Sequence, residues 1–302
     1  MSEAVAATTS KLGAWRLAVR PPTLTASVGP VLVGWGVAWA LGGFRLGPAC
    51  AALAGAVLLQ IGANLANDLF DFRRGADTAE RLGPPRAAQL GLLSERELIA
   101  GMVAVFGAAF LVGVYLVAEG GWPVVAIGLS AIAAAVAYTG GPFPYGYRAL
   151  GDLFVFLFFG PAAVVGTVWV QAQEAPLLSW LASLPMGALV TAILVVNNLR
   201  DREQDARAGK ITLAVVLGDR GTRLWYLALV VVSYAVPVAL SLGGLASPWA
   251  TMAYASLPVA RGPARAVASG VSGRPLNTAL RDTARLVFVF GALFGGGLAL
   301  GR

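Results

Sequence analysis

Two amides and two carboxylates, Asn64, Asn67, Asp68 and Asp71, close a long apolar run, and Arg73, Arg74, Gly75 and Asp77 follow them. On an ideal helix, at about 100° per residue, positions 64, 67, 68 and 71 share an arc of roughly 100°. All four side chains then point into one cavity. Carboxylates are unfavourable at a helix C-terminus and expensive at the end of a membrane span, so a function is the first reading. A second cluster, Asn197, Asn198, Arg200, Asp201 and Asp205, ends another apolar run. Asn197, Asn198, Asp201 and Asp205 share a similar arc of about 100°. Magnesium keeps several waters and binds through one or two carboxylates plus substrate phosphates. Two facing clusters of this kind, each edged by arginines, suit divalent cations and a polyphosphate. In the first cluster Asp68 and Asp71 are the expected Mg²⁺ ligands, with an amide oxygen from Asn67. After the second, Lys210 and Thr212 bring a cation and a hydroxyl within reach of a phosphate.

The elements that position these groups are apolar helices. The chain has 302 residues, of which 58% are hydrophobic and 12% charged, with a mean hydropathy of +0.75. A soluble domain carries about 25% charged residues. The expectation is an all-α polytopic membrane bundle forming one domain over residues 1–302. The net charge of +7 is not read as nucleic-acid binding, because the basic residues lie between apolar spans rather than in one patch. Anionic membrane lipids and a phosphorylated substrate fit them better. Cys50 is the single cysteine and there is no histidine. The commonest general base and zinc ligand are therefore absent, leaving carboxylates, amides, tyrosines and hard cations. The first ten residues do not resemble a cleavable signal.

Nine spans are expected, at 24–42, 47–69, 97–118, 122–139, 150–171, 176–199, 223–242, 246–260 and 284–301. Residues 11–20 read as a short interfacial helix carrying Trp15 and ended by Pro21 and Pro22. With the N-terminus cytoplasmic, 20 of the 22 Lys and Arg fall in inner segments, all but Arg45 and Arg302. This asymmetry puts both carboxylate clusters on the cytoplasmic side. The inner loops 72–95 and 200–222 are expected to cap the cavity, each with a short helix of its own.

A third segment runs Tyr138-Thr-Gly-Gly-Pro-Phe-Pro-Tyr145-Gly-Tyr147-Arg148 and on to Gly151-Asp152. Read alone it is either a tight loop with interfacial aromatics or a part of the site. In the second case Arg148 meets a phosphate and the face of Tyr138 stabilises a developing cation.

Taken together, these motifs resemble the UbiA superfamily of membrane prenyltransferases. The resemblance is carried by Asn64-Leu-Ala-Asn-Asp-Leu-Phe-Asp71, Arg81-Leu-Gly-Pro-Pro-Arg86, the Tyr138–Asp152 segment, Asn197-Asn-Leu-Arg-Asp-Arg-Glu-Gln-Asp205 and Gly209-Lys-Ile-Thr-Leu213. Arg20-Pro-Pro-Thr-Leu24 resembles the family's opening segment, and Leu276-Asn-Thr-Ala-Leu280 its closing one. The loop motifs favour the branch that prenylates 1,4-dihydroxy-2-naphthoate in menaquinone synthesis. The resemblance implies Mg²⁺ ligands at Asn67, Asp68, Asp71, Asp201 and Asp205. It implies diphosphate contacts from Arg148, Lys210 and Arg200, to which Asn64, Asn67, Arg74 and Asn198 are added as candidates. The implied catalytic groups are Asp68, Asp71, Asp201, Asp205 and Tyr138. Many superfamily members carry an acid where this chain has Gly75, so Asp77 is a further candidate ligand.

The implied reaction transfers a polyisoprenyl group from its diphosphate to the naphthoate. The allylic C–O bond breaks, the ring carbon bearing the carboxylate attacks the cation, and CO₂ and a proton leave. Other aromatic acceptors, such as 4-hydroxybenzoate, homogentisate or a porphyrin, remain alternatives. A cation-coupled secondary transporter is the alternative of another class, although its acids would be expected at the bilayer midplane rather than at span ends.

Overall fold

The computed structural model describes residues 9–75 and 81–301, and every named element within them is helical. Asp77 lies outside the described residues. In chain order the helices are α1 (Lys11–Val19), α2 (Thr25–Ala40), α3 (Leu46–Arg73), α4 (Glu95–Gly120) and α5 (Trp122–Ala137). Next, α6 (Gly151–Leu157) passes through a π segment (Phe158–Ala162) into α7 (Ala163–Ala172). The chain closes with α8 (Leu177–Arg207), α9 (Leu213–Leu242), a 3₁₀ segment (Pro248–Ser256) running into α10 (Leu257–Ala268), and α11 (Leu276–Leu300).

Among the described residues six helical stretches are long and apolar enough to cross a membrane, and α1 through Thr23 with α2, bent by 45°, makes a seventh if counted as one span. The other two expected segments fall short by that measure. α5 has only 16 residues, and the segment from Pro248 is 3₁₀ for nine residues before α10 begins. The chain is an integral, multi-pass membrane protein. Its helix ends differ from the apolar runs in a consistent way. α8 continues past Leu199 to Arg207 and α9 already begins at Leu213. The expected loop 200–222 is therefore mostly helix, because the polar residues of the cluster face inward and propagate the backbone ladder. Among the described residues the other expected capping helix, within 72–95, is a turn over Ala87–Gly91.

Helix starts follow local chemistry. Ser94 accepts from the Glu97 amide while Glu97 accepts from the Ser94 amide, a reciprocal cap that opens α4. Thr212 caps α9 by accepting from the Val215 amide. α8 is the central helix, with 72% of its apolar window buried, whereas α4 has 11% buried and lies at the periphery. α2 crosses α11 at glycines. A Cβ on Gly291 would stand 2.7 Å from the carbonyl oxygen of Gly29, so only small residues permit this approach. α8, α2 and α11 thus form a rigid core, with Met186, Leu189, Val287, Phe290 and Phe294 fully buried between them.

The C-terminal ends of α3 and α8 lie at one end of the bundle. Arg74, residues 81–94 and the loops 138–150 and 208–212 meet there. At the opposite end, Arg45 donates to the Val170 and Gln171 carbonyls and pairs with Glu119 at 2.7 Å. The two acid clusters therefore share one face of the molecule.

Candidate active site

Asp68 and Asp71 stand on the last turns of α3, and both are buried, Asp68 completely. Asp71 accepts at 2.8 Å from the Tyr147 hydroxyl and pairs at 2.8 Å with Arg86. Arg86 also donates to the Asn67 carbonyl at 2.7 Å, so one guanidinium clamps the end of α3. The Asn67 side-chain oxygen accepts from Thr139 at 3.0 Å. Arg74 donates to the carbonyls of Thr139 and Gly141, each at 2.9 Å. The aromatic loop is in this way tied to the first cluster.

On α8 the Arg200 guanidinium chelates Asp201 and donates to the side-chain oxygens of Asn277 and Asn197. Asp205 pairs with Lys210 at 3.3 Å. Two bridges join the clusters. In the first, Asp71 binds the Tyr147 hydroxyl, the Lys210 ammonium sits 5.3 Å from the centre of the Tyr147 ring, and Lys210 reaches Asp205. The second is the segment 81–86. Its Arg86 holds Asp71, the Leu82 carbonyl accepts from Asn277 at 2.9 Å, and a Cβ on Gly83 would lie 2.8 Å from Arg200. A short parallel bridge between Arg148 and Ile211 zips the aromatic loop to the segment after α8.

Among the described residues four buried oxygens on the two clusters lack any hydrogen-bond partner: both of Asp68, one of Asp205 and the amide oxygen of Asn198. All four are acceptors, so what the space lacks is a cation or a strong donor. The Arg20 guanidinium, with its own unpartnered buried nitrogen, lies within electrostatic reach of Asp68, Asp71 and Arg86. Arg20 holds a left-handed backbone at φ 54°, a conformation that non-glycine residues adopt at a cost. Among the described residues no three acids approach closely enough to form a metal cage. The acids are instead held apart by Arg86, Arg200 and Lys210. This donor set fits a Mg²⁺ ion whose shell is completed by phosphate oxygens and water, and not a closed all-protein site.

Tyr138 borders the same space. Its ring meets Tyr145 edge-on at 5.4 Å, and its charged neighbours include Asp71, Asp152 and Asp205. Burial, then nearby Tyr145 and the acids, hold its hydroxyl well above the ordinary tyrosine range. Burial and Asp71 do the same to Tyr147. Both present a neutral ring and an O–H donor, never a phenolate, at physiological pH.

The structure thus gathers Asn67, Asp68, Asp71, Tyr138, Arg200, Asp201, Asp205 and Lys210 at one site, and Asn198 is buried on the same turn of α8. Two candidates stand apart. Asn64 donates to the Val19 carbonyl and the Thr23 hydroxyl, both at 2.9 Å, and so anchors the α1–α2 connection. Arg148 is exposed and stacks 4.2 Å from the Phe143 ring centre. Three site residues were not singled out from sequence: Arg20, Arg86 and Tyr147. Arg20 and Arg86 lie beside Pro-Pro pairs in segments that carry the family resemblance, and Tyr147 lies in the aromatic loop.

Comparison with known proteins places the chain in a family and matches its fold. The model of the UbiA prenyltransferase family matches residues 27–299. A Mycobacterium tuberculosis protein named 1,4-dihydroxy-2-naphthoate octaprenyltransferase is 40% identical over 288 residues, covering 95% of this chain and 97% of that one. Among solved structures, an apo UbiA homolog from Aeropyrum pernix K1 superposes with a TM-score of 0.68 at 20% identity, covering 90% of this chain and 94% of that one. A UbiA homolog from Archaeoglobus fulgidus bound to DMAPP and Mg²⁺ gives 0.63 at 15% identity, covering 93% and 99%. This chain belongs to the UbiA prenyltransferase family.

Proposed function

We propose that the protein transfers a polyisoprenyl group from its diphosphate to 1,4-dihydroxy-2-naphthoate, releasing diphosphate and CO₂ and yielding the reduced, quinol form of demethylmenaquinone. The observation that carries this reading is the set of partnerless buried oxygens on Asp68, Asp205 and Asn198, ringed by Arg20, Arg86, Arg200 and Lys210. An arrangement with acceptors inside and cations around it suits a metal-bound diphosphate and little else. The 40% identity to a dihydroxynaphthoate prenyltransferase over nearly the whole chain supports the acceptor.

In this reading Asp68, Asp71, Asp201 and Asp205, with the amide oxygens of Asn67 and Asn198, hold Mg²⁺. Bound there, Mg²⁺ neutralises charge on the diphosphate and makes it a better leaving group. Arg86, Arg200 and Lys210 turn from their acids toward the phosphate oxygens, so no charge is left unpaired when donor enters. As the allylic C–O bond breaks, the neutral rings of Tyr138 and Tyr147 face the developing cation. CO₂ leaves from the carbon that attacks, so aromaticity returns without loss of a ring proton; a proton still on the carboxyl passes to the acids or to the departing diphosphate, since the chain has no histidine. The site opens to the cytoplasmic side of a bacterial cytoplasmic membrane, consistent with the crowding of Lys and Arg at this end.

The test is an acceptor panel. Purified protein with labelled prenyl diphosphate and Mg²⁺ is given the naphthoate, 4-hydroxybenzoate, homogentisate or a porphyrin. The expected result is product from the naphthoate alone, with one CO₂ per transfer and loss of turnover in EDTA. Preferred turnover of another acceptor, or product that retains its carboxylate, contradicts the reading.

A further inference from the structure

Away from the active site, α9, α10 and the 3₁₀ segment enclose a groove of about 410 Å³ on the outside of the bundle. Val230, Val231, Tyr234, Tyr254, Leu257 and Arg261 line it. Its floor is chemically closed. The Tyr234 hydroxyl bonds Ser256 at 2.6 Å, and the Tyr254 hydroxyl donates to the Tyr234 carbonyl at 2.9 Å. With those groups satisfied, the groove offers apolar walls to an apolar chain. Val231 is 66% exposed and Leu257 36%, so the walls lie on the outside of the bundle, and no residue of either acid cluster lines them.

One end of the groove is different. Arg261 stands at its rim, and Arg265 follows one helical turn later on the same face of α10. On the far side of α10, Arg285 and Asp282 of α11 line a second cleft with Pro258 and Gly262. Arg261, Arg265, Arg281 and Arg285 are all exposed. Among the described residues none of their side chains has an ion-pair or hydrogen-bond partner. The order along the surface is therefore apolar groove, then unpaired guanidinium groups, then the basic end of the bundle, where Arg223 bonds the Val267 and Val271 carbonyls. A ligand matching that order has a long apolar chain and an anionic head.

We propose that this groove is a binding site for an anionic phospholipid, with one acyl chain against Tyr234, Tyr254 and Val231 and the phosphate between Arg261 and Arg265. The charge complementarity selects an anionic head over a zwitterionic one, and each basic residue near a membrane surface contributes modestly to such selection. The site is separate from the carboxylate clusters, so its occupancy does not depend on the reaction assigned to them.

The experiment uses the full-length protein in neutral detergent, with phosphatidylglycerol, phosphatidylcholine or glycerol 3-phosphate added, read by native mass spectrometry and by thermal midpoint. Phosphatidylglycerol is expected to bind and to raise the midpoint, while the other two do neither at equal concentration. Arg261→Gln and Arg265→Gln should each weaken phosphatidylglycerol binding about fivefold, and Ala235→Trp, which fills the groove, should remove it. Prenyl transfer in these variants, assayed in neutral detergent, should match the parent protein, which also reports that they fold. The proposal is overturned if phosphatidylcholine binds equally, if glycerol 3-phosphate alone reproduces the shift, or if the variants retain full phosphatidylglycerol binding. Displacement of the lipid by prenyl diphosphate would instead assign the groove to the donor's tail and would equally overturn it.

Discussion

Asp68 is a buried carboxylate whose two oxygens have no hydrogen-bond partner among the described residues. Such a group destabilises the fold unless a ligand meets it. Asp68→Asn is therefore expected to leave the thermal midpoint in Mg²⁺-free detergent unchanged or higher, while turnover falls at least about a hundredfold. A lower midpoint with intact turnover would assign Asp68 to structure. Asp71 behaves differently, because its removal strands the buried Arg86. For Asp71→Ala the account predicts loss of prenyl transfer together with a lower midpoint. Tyr147→Phe keeps the ring beneath Lys210 but deletes the bond to Asp71. A charge-assisted hydrogen bond of this kind corresponds to roughly a tenfold loss in kcat/KM for the donor, with the acceptor KM unmoved. The acids themselves were legible in the sequence because helical spacing alone puts 68 and 71, or 201 and 205, on one face. Lys210 was legible as a cation following the second cluster, but Arg86 and Tyr147 were not, because they arrive from loops whose paths no periodicity encodes.

At the scale of elements, the site depends on a rigid core and a laced cap. The crossing of α2 and α11 leaves no room for a methyl group at Gly291. Gly291→Leu should force the helices apart and lower the thermal midpoint, with a cost of about 1–3 kcal/mol typical of overpacking. An unchanged midpoint would show that this crossing is looser than described. The cap segment 81–86 is fastened to α11 by the Asn277 amide. Helix existence was readable from the apolar runs, and residues 64–71 and 197–205 continued those helices as their common arcs implied. The helix ends were not readable, since hydropathy stops at Leu199 while the backbone ladder runs on to Arg207. The π segment at Phe158–Ala162 and the 3₁₀ run at Pro248–Ser256 leave no mark in the apolar pattern, because hydropathy does not register helix pitch.

Across the whole molecule the polarity is plain. The acid clusters, their cationic partners and the loops that lace them lie at one end, and the Arg45–Glu119 pair marks the other. If the basic end is cytoplasmic, orientation is directly measurable. In a Cys50→Ala background, Ser272→Cys should react with a membrane-impermeant maleimide only in inverted vesicles, and Leu245→Cys only in right-side-out ones. The reverse pattern would turn the protein over. The central claim is that two remote stretches of chain hold one metal-bound diphosphate. Its most direct test is Mg²⁺-dependent binding of a non-reactive prenyl thiodiphosphate to the parent protein and to Asp71→Asn, Asp201→Asn and the double variant. Each single change is predicted to remove most of the binding, and the double to add little further loss. Binding that depends on only one of the two clusters, or effects that simply add, would contradict it.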